Sequence, residues 1–539
     1  MHESDSPVHK SQPRITVTWN LSSLPVSLVN SVKSSYSRHP LVMISSRRDL
    51  NRQRQRYFLV SFGLTLLILS WSTVLFPAHT TTTIKQTVIP YAQSLLNSVT
   101  TKNDILTEDV SHVARHVGTP TFEYAKRVIR THLAPATEER PSLTRKNEPL
   151  LPEFQLLKKD NLTGIALSSL PALRLNVPLS HLVDTSILSF GISTKLNRLN
   201  YALPQLQHWL PNSKAQLHVS IPIDPQPSAV NKIAETESLF EVANINLTLH
   251  TSDLPFAKSY FNLIKILYET RTPATKWLVL IDDDTFIPSL PYLVHHLNTH
   301  YGSSSEVLIA ALSDSLAQIR QLGLIPFGGG GIFISVPLAA SLLVPEIWSA
   351  CLALPNDQGD QIVNECLNAY SSVRPTFDNG LQQMDIHGDA SGYFESGRRM
   401  LTVHHWRTWY DVNVPLASNV SRVCGFECVF QRWVFDDDFV LSNGFSVVQY
   451  TEGVKGNVDL DLEKVEMTWE GEKWNFAHHV GPLRDKVVKE KKRAARLMEA
   501  TVLEGVGVRQ IYVERMKSGE DGERVEGDVD RVVELLWLF

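Results

Sequence analysis

The sequence predicts an α/β domain with a mainly parallel central sheet, preceded by one transmembrane helix and a stem. Three observations lead there. An uncharged run, YFLVSFGLTLLILSWSTVLF at Tyr57–Phe76, follows a basic head. From about Leu170 onward, short apolar segments with strand character alternate with helical ones, the βαβ rhythm of a parallel sheet. The 539 residues, 43% hydrophobic and 20% charged, are an ordinary globular mixture, which excludes a fibrous or wholly disordered chain. A mean hydropathy of −0.09 excludes a multi-pass membrane protein.

The elements follow in order. Residues 1–56 form a basic tail: nine Lys and Arg against three Asp and Glu give it +6, within a chain whose net charge is −5. That overall balance argues against a general nucleic-acid binder. Residues 57–76 span about 30 Å as a helix, the thickness of a bilayer core. The RRDLNRQRQR run before them sets the tail in the cytoplasm by the positive-inside rule, so a type II signal-anchor with a lumenal body is expected. A cleaved signal peptide fits poorly, because a basic, largely polar stretch of 56 residues comes first. The sequons at Asn161, Asn246 and Asn419 agree with a lumenal glycoprotein.

Residues 77–169 read as a stem, with amphipathic helices in ILTEDVSHVARHV and FEYAKRVIRTHL. In the body, 170–498, SILSFGIS, AQLHVSIPI and WLVLI read as strands. LNRLNYALPQLQHWL and SYFNLIKILYETR read as helices. VVKEKKRAARLMEATVL reads as a basic helix, and residues 499–539 as a polar tail with an apolar end, VELLWLF. The four cysteines all lie in the body, and their proximity suggests the disulfides Cys351–Cys366 and Cys424–Cys428, one of three pairings. A zinc site is the rival, which C-x3-C without a second ligand pair supports poorly.

WLVLIDDDTFI carries the sharpest chemistry. A buried strand ends in Asp282, Asp283 and Asp284, and ligands of open α/β sheets sit beyond strand carboxyl ends. Three adjacent acids repel one another, and a hard divalent cation relieves them. A second triplet, Asp436–Asp438, has similar flanks and reads as a solvated charge run, so context has to separate the two.

That context is a resemblance. WLVLIDDDTFI resembles the metal-binding DxD segment of Fringe-type transferases, glycosyltransferase family 31. SFGISTKLNRLNYALPQLQHWLP, KSYFNLIKILYE, FGGGGIFISVPLA, CLALPNDQGDQIVNEC and MDIHGDASGYFESGRRMLTVHHW resemble other segments of that family in the same order. FDDDFVLSNGFSVVQYTEG, EMTWE and HHVGPLR are closer to its fungal and plant subgroup. The resemblance covers roughly Leu170 to Met498 and implies a GT-A-like nucleotide-sugar transferase fold.

It also implies an activity: metal-dependent, inverting transfer from a UDP-sugar to a glycan or glycoprotein acceptor, through a β-1,3 linkage, in the Golgi membrane or the endoplasmic reticulum. Manganese or another divalent cation would be held by Asp282, Asp284 and His404, with His405 the rival on the opposite strand face. Asp360 is the implied general base, with Asp357 as rival and a helix N-cap as the ordinary reading of either. Thr194, Arg198, Asp282, Asp283, Gly329 and Gly330 would contact the donor, the glycines by bringing backbone amides close. A homodimer through stem or anchor is a further expectation. One departure stands out: relatives read F-H-Q where this chain has Leu381-Gln382-Gln383. It favours the alternative, a catalytically inactive glycan-binding member of the same fold. A metal-dependent phosphohydrolase would need a second metal cluster or an Asp nucleophile with phosphate partners, and the sequence offers neither.

Overall fold

The computed structural model describes residues 109–135, 140–226, 228–454, 460–515 and 529–539. The chain divides into compact units at 1–91 and 92–539, and all described residues belong to the second. The expected basic tail and anchor, 1–76, lie outside the described residues. Among those described, no helix is long and apolar enough to cross a membrane.

The heart of the body is an eight-stranded sheet. Its spatial order is Thr402–Val403, Thr376–Gln382, Leu308–Leu312, Phe327–Ser335, Trp277–Leu280, Leu188–Ser193, Gln216–Pro222 and Leu247–Ser252. Every pairing is parallel except those of Phe327–Ser335, which runs against both its neighbours. Both faces are covered, which is why WLVLI reads as an unbroken apolar run. Trp277, Val279 and Ile281 join one core with the helices Leu196–Trp209 and Leu290–His300. Leu278 and Leu280 join the other with Phe256–Thr270, Val336–Leu342, Pro345–Leu352 and Gly359–Tyr370.

The helices follow their sequence signals. Leu199, Ala202, Leu206 and Trp209 recur at helical spacing and are buried. Ser289 caps Leu290–His300 by accepting the Tyr292 N–H at 3.2 Å, with Pro291 in the first turn. Cys366 on Gly359–Tyr370 is bonded to Cys351 on Pro345–Leu352, Cα to Cα 5.2 Å, and Cys424 to Cys428 at 5.9 Å.

One antiparallel strand determines where the glycines go. Ile332 pairs with Leu280, so Gly328–Gly331 extend past the carboxyl end of Trp277–Leu280, alongside the acidic turn. The ladder with Leu308–Leu312 shifts register between Phe327 and Ile332, so the glycines form a bulge. Strand Thr402–Val403 runs parallel to its neighbour and delivers His404 to the same edge.

The second layer corrects the expected stem and tail. A ten-stranded sheet contains Thr121–Ala134, Gln155–Lys158, Lys492–Leu503, Gly507–Glu514 and Asp530–Leu538. FEYAKRVIRTHL is therefore strand rather than helix: Phe122 and Tyr124 face the core while Glu123 does not, a period of two. Its partner is remote, with Phe122 paired to Asp530 and Arg130 to Leu538. VVKEKKRAARLMEATVL contains good helix formers, yet Lys492–Leu503 is a strand because it is paired on both sides. VELLWLF is buried in the sheet, with Val533, Leu535, Leu536 and Trp537 at most 1% exposed. The tail is thus structural, and the boundary expected at 170 cuts through one sheet.

Asp436–Asp438 also departs from a simple solvated run. It forms the turn between Arg432–Val434 and Phe439–Ser442. Asp437 accepts the Leu151 N–H at 3.2 Å and Asp438 the Val454 N–H at 2.8 Å. Those carboxylates close loops.

Candidate metal and donor site

Beyond Leu280 the acidic turn is tied directly to the glycine bulge. The Asp282 N–H donates to Thr285 Oγ1 at 2.9 Å, and that hydroxyl donates to the Gly329 carbonyl at 2.7 Å. The three carboxylates then separate. Asp282 remains partly exposed, whereas Asp283 and Asp284 are buried.

Asp283 turns to the nearby helix. Its carboxylate accepts from the Thr194 hydroxyl, from Arg198 Nε at 2.6 Å and from Arg198 Nη2 at 2.5 Å. Its backbone carbonyl accepts from Gln205 Nε2 at 2.5 Å. Thr194, Arg198 and Asp283 therefore come together as one unit that fixes the turn.

Asp284 and Asp282 meet His404. The Nε2 atom lies 3.1 Å from Asp284 Oδ1 and 3.4 Å from Asp282 Oδ2. Burial alone would lower the His404 pKa, but hydrogen bonds to Asp282 and Asp284 hold it up at about 10. Burial alone would raise Asp284, but its bond to His404 draws it well below the usual carboxylate range. The two carboxylates thus stabilise positive charge beside them, here that of the imidazole itself. The buried His404 Nδ1 has no hydrogen-bond partner, and a Cβ on Gly329 would overlap the imidazole ring.

His405 lies beside it, ring centroids 3.8 Å apart. One ligand atom each from Asp284, His404 and His405 fall within 4.8 Å of one another, a group able to hold a metal ion. Carboxylate and imidazole donors together suit a divalent cation of the manganese or zinc kind. Asp282, expected as a ligand, stands at the open side of this group.

Asp360 lies in the first turn of Gly359–Tyr370. Its Oδ1 accepts the Gln361 N–H at 2.8 Å, and the Gly328 backbone N–H also bonds to the carboxylate. Burial, reinforced by the Asp282 charge, raises its pKa to about 6. The rival Asp357 is exposed, and the helix has no side-chain N-cap bond. Behind Asp360 lies Tyr260, which carries no distinguishing signal in the sequence. Its ring packs on Gly359 and its hydroxyl on Gly328, and the buried hydroxyl has no partner.

The other glycine expectation takes a specific form. The Gly330 N–H donates to Gln383 Oε1 at 2.7 Å, and its carbonyl accepts from Thr402 Oγ1 at 2.6 Å. Gln382 accepts from the Tyr393 hydroxyl and donates to the Asn379 carbonyl. Both glutamines brace the strands beneath the site.

Comparison with known proteins gives a partial match. Residues 324–450 match a family described as "Protein of unknown function, DUF604"; the matched stretch spans the glycine bulge, Asp360 and His404. No curated protein matches the chain. Among solved structures, the mannosyltransferase PcManGT from Pyrobaculum calidifontis, in complex with GDP-Man and Mn2+, is 9% identical with a TM-score of 0.26. That likeness covers 41% of this chain and 64% of that one, so the chain spans less than two thirds of it. Mouse xyloside xylosyltransferase 1 is 11% identical, with a TM-score of 0.27, over 41% of this chain and 98% of that one. The glycosyltransferase GlyE of Streptococcus pneumoniae is 11% identical, with a TM-score of 0.28, over 42% and 58%. At such scores the functional reading rests on the site itself.

Proposed function

We propose that the chain is a metal-dependent, inverting glycosyltransferase of the Fringe-like type, moving a sugar from a UDP-sugar to a glycan or glycoprotein, with a β-1,3 linkage as the product. The observation that carries this reading is the convergence of Asp282 and Asp284 on His404, with Asp360 bonded to the Gly328 N–H of the glycine bulge. A divalent cation held there would neutralise the departing nucleoside diphosphate.

The residues divide the remaining work. Asp360 takes the proton of the acceptor hydroxyl as that oxygen attacks the anomeric carbon and the carbon–oxygen bond to the diphosphate breaks. A pKa of about 6 leaves it ionised at neutral pH yet basic enough to accept a proton. A single displacement by an external oxygen inverts the anomeric carbon, and the chain then needs one base and no nucleophile. Arg198, half exposed and held by Asp283, would meet a donor phosphate or base. The proposed setting is a single-pass type II protein of the Golgi membrane, anchored by residues 57–76, with the body in the lumen.

The test is hydrolysis and binding of a UDP-sugar panel by the full chain, with Mn2+, with EDTA and as Asp284→Ala. Turnover of one donor that needs Mn2+ and vanishes in the variant supports the reading and names the sugar. A folded protein that neither binds nor turns over any donor replaces it with the glycan-binding alternative, which the buried Gln382 in place of His favours.

A further inference from the structure

The strand carrying the site histidines ends earlier than simple alternation requires. Thr402–Val403 is the whole strand, and His405 takes a φ of +56°, in the left-handed region that bulky residues avoid. This backbone turn cancels the alternation that would have placed neighbouring rings on opposite faces. Both imidazoles therefore lie on one side, with centroids 3.8 Å apart. Backbone strain of this kind persists where the surroundings over-determine it, and it gathers at functional sites.

The surroundings do over-determine His405. Its ring stacks on Trp409 at 4.2 Å and 6°, and Trp409 also stacks with His387 at 4.2 Å and 13°. Its Nε2 lies 3.4 Å from Asp385 Oδ1. Asp385 is itself fixed: its other oxygen accepts from the Ser313 hydroxyl at 2.5 Å, and its N–H donates to Asp314 Oδ2 at 3.1 Å. Asp314 in turn holds His479 Nδ1 at 2.7 Å. No other part of the proposed mechanism uses this buried network.

We propose that His405 is a second imidazole ligand of the cation, through Nδ1, alongside Asp284 and His404, and that Asp385 positions it by accepting the proton of Nε2. The inference rests on reading the cluster as a metal site. A carboxylate that takes the far N–H of a ligating histidine fixes its tautomer and strengthens it as a donor. His405 Nδ1 is 3.0 Å from Thr408 Oγ1, which is 3.4 Å from Asp284 Oδ2, so that nitrogen faces the Asp284 side of the cluster. One donor atom from each of the three residues lies within 4.8 Å of the others, near enough to converge on one ion at bond lengths of about 2.1–2.3 Å.

The test is Mn2+ binding to the full chain, followed by electron paramagnetic resonance, with pulsed detection of imidazole nitrogens coupled to the ion. The wild type is expected to show two such nitrogens, and His405→Asn one, asparagine being a residue that accepts the left-handed backbone. Asp385→Asn, which keeps the shape of the side chain, is expected to keep both nitrogens and to weaken affinity by about 10–100-fold. Thermal melts in EDTA establish that each variant is folded. A wild type with one coupled nitrogen, and unchanged affinity in His405→Asn, overturns this assignment and leaves the metal-site reading standing. Mn2+ that does not bind, or binds without any imidazole, overturns both.

Discussion

Asp360 joins function and stability in one side chain. Its folded pKa of about 6 lies above the ordinary value of 3.8, so its contribution to stability is complete below pH 4 and is lost as pH rises through 6. Asp360→Asn is accordingly expected to be more stable than the wild type at pH 8 by up to about 3 kcal/mol, and no more stable at pH 4. Urea denaturation in EDTA at the two pH values measures this, and equal stability at pH 8 would contradict the raised pKa. The same variant is expected to lose about 10²–10⁴ in turnover while still binding Mn2+. Wild-type turnover should rise with pH and then level off, with a midpoint below the metal-free value of about 6 because bound Mn2+ offsets the Asp282 charge. Gly329 tests the cation site from below. A methyl group there overlaps the His404 ring, so Gly329→Ala is expected to displace the imidazole and weaken Mn2+ binding more than it lowers the melting temperature. Unchanged affinity in a titration would show that the ring can move without cost.

At the scale of elements, helix Gly359–Tyr370 matters because its first turn holds Asp360 against the glycine bulge. It is fixed at one end by Tyr260 and further along by the Cys351–Cys366 bond. That bond closes a separation of 15 residues, so replacing both cysteines with serine is expected to cost about 3 kcal/mol, read from urea denaturation. Gly359→Ala meets the Tyr260 ring at 2.5 Å and should lower turnover by shifting Asp360 while leaving Mn2+ affinity unchanged. Elements of this sheet were legible in the sequence. WLVLI, SILSFGIS and AQLHVSIPI are short apolar runs, and LNRLNYALPQLQHWL repeats at helical spacing. Asp282, Asp284, His404 and Asp360 could be gathered only because the segments that carry them resemble, in the same order, those of a known transferase family. His405 as a partner of His404, and Tyr260, could not. His405 depends on a left-handed backbone that alternation does not foresee, and Tyr260 is indistinguishable by pattern from any other apolar residue on a helix face.

Across the whole molecule, the least legible part was the ten-stranded sheet. FEYAKRVIRTHL and KRAARLMEATVL have local preferences that admit a helix, and the partners that make them strands are far away in the chain. The consequence is testable by truncation. A chain beginning at Pro152 keeps every candidate site residue but lacks Thr121–Ala134, the strand between Asp530–Leu538 and Gln155–Lys158. It is expected to be insoluble or to expose hydrophobic surface, whereas a chain beginning at Asp109 should fold, as circular dichroism and dye binding would report. The parallel pairing of Phe122 with Asp530 also sets an order of events during synthesis. At about 5–20 residues per second, a ribosome needs roughly 20–80 s to make the 408 residues that separate those partners. For that interval the early strand has its neighbours Gln155–Lys158 and Leu173–Pro178 but lacks the strand that covers its other edge, while the sheet between Leu188 and Val403 can already assemble. The site is then born before the layer that supports it, and strand Asp530–Leu538 closes that layer.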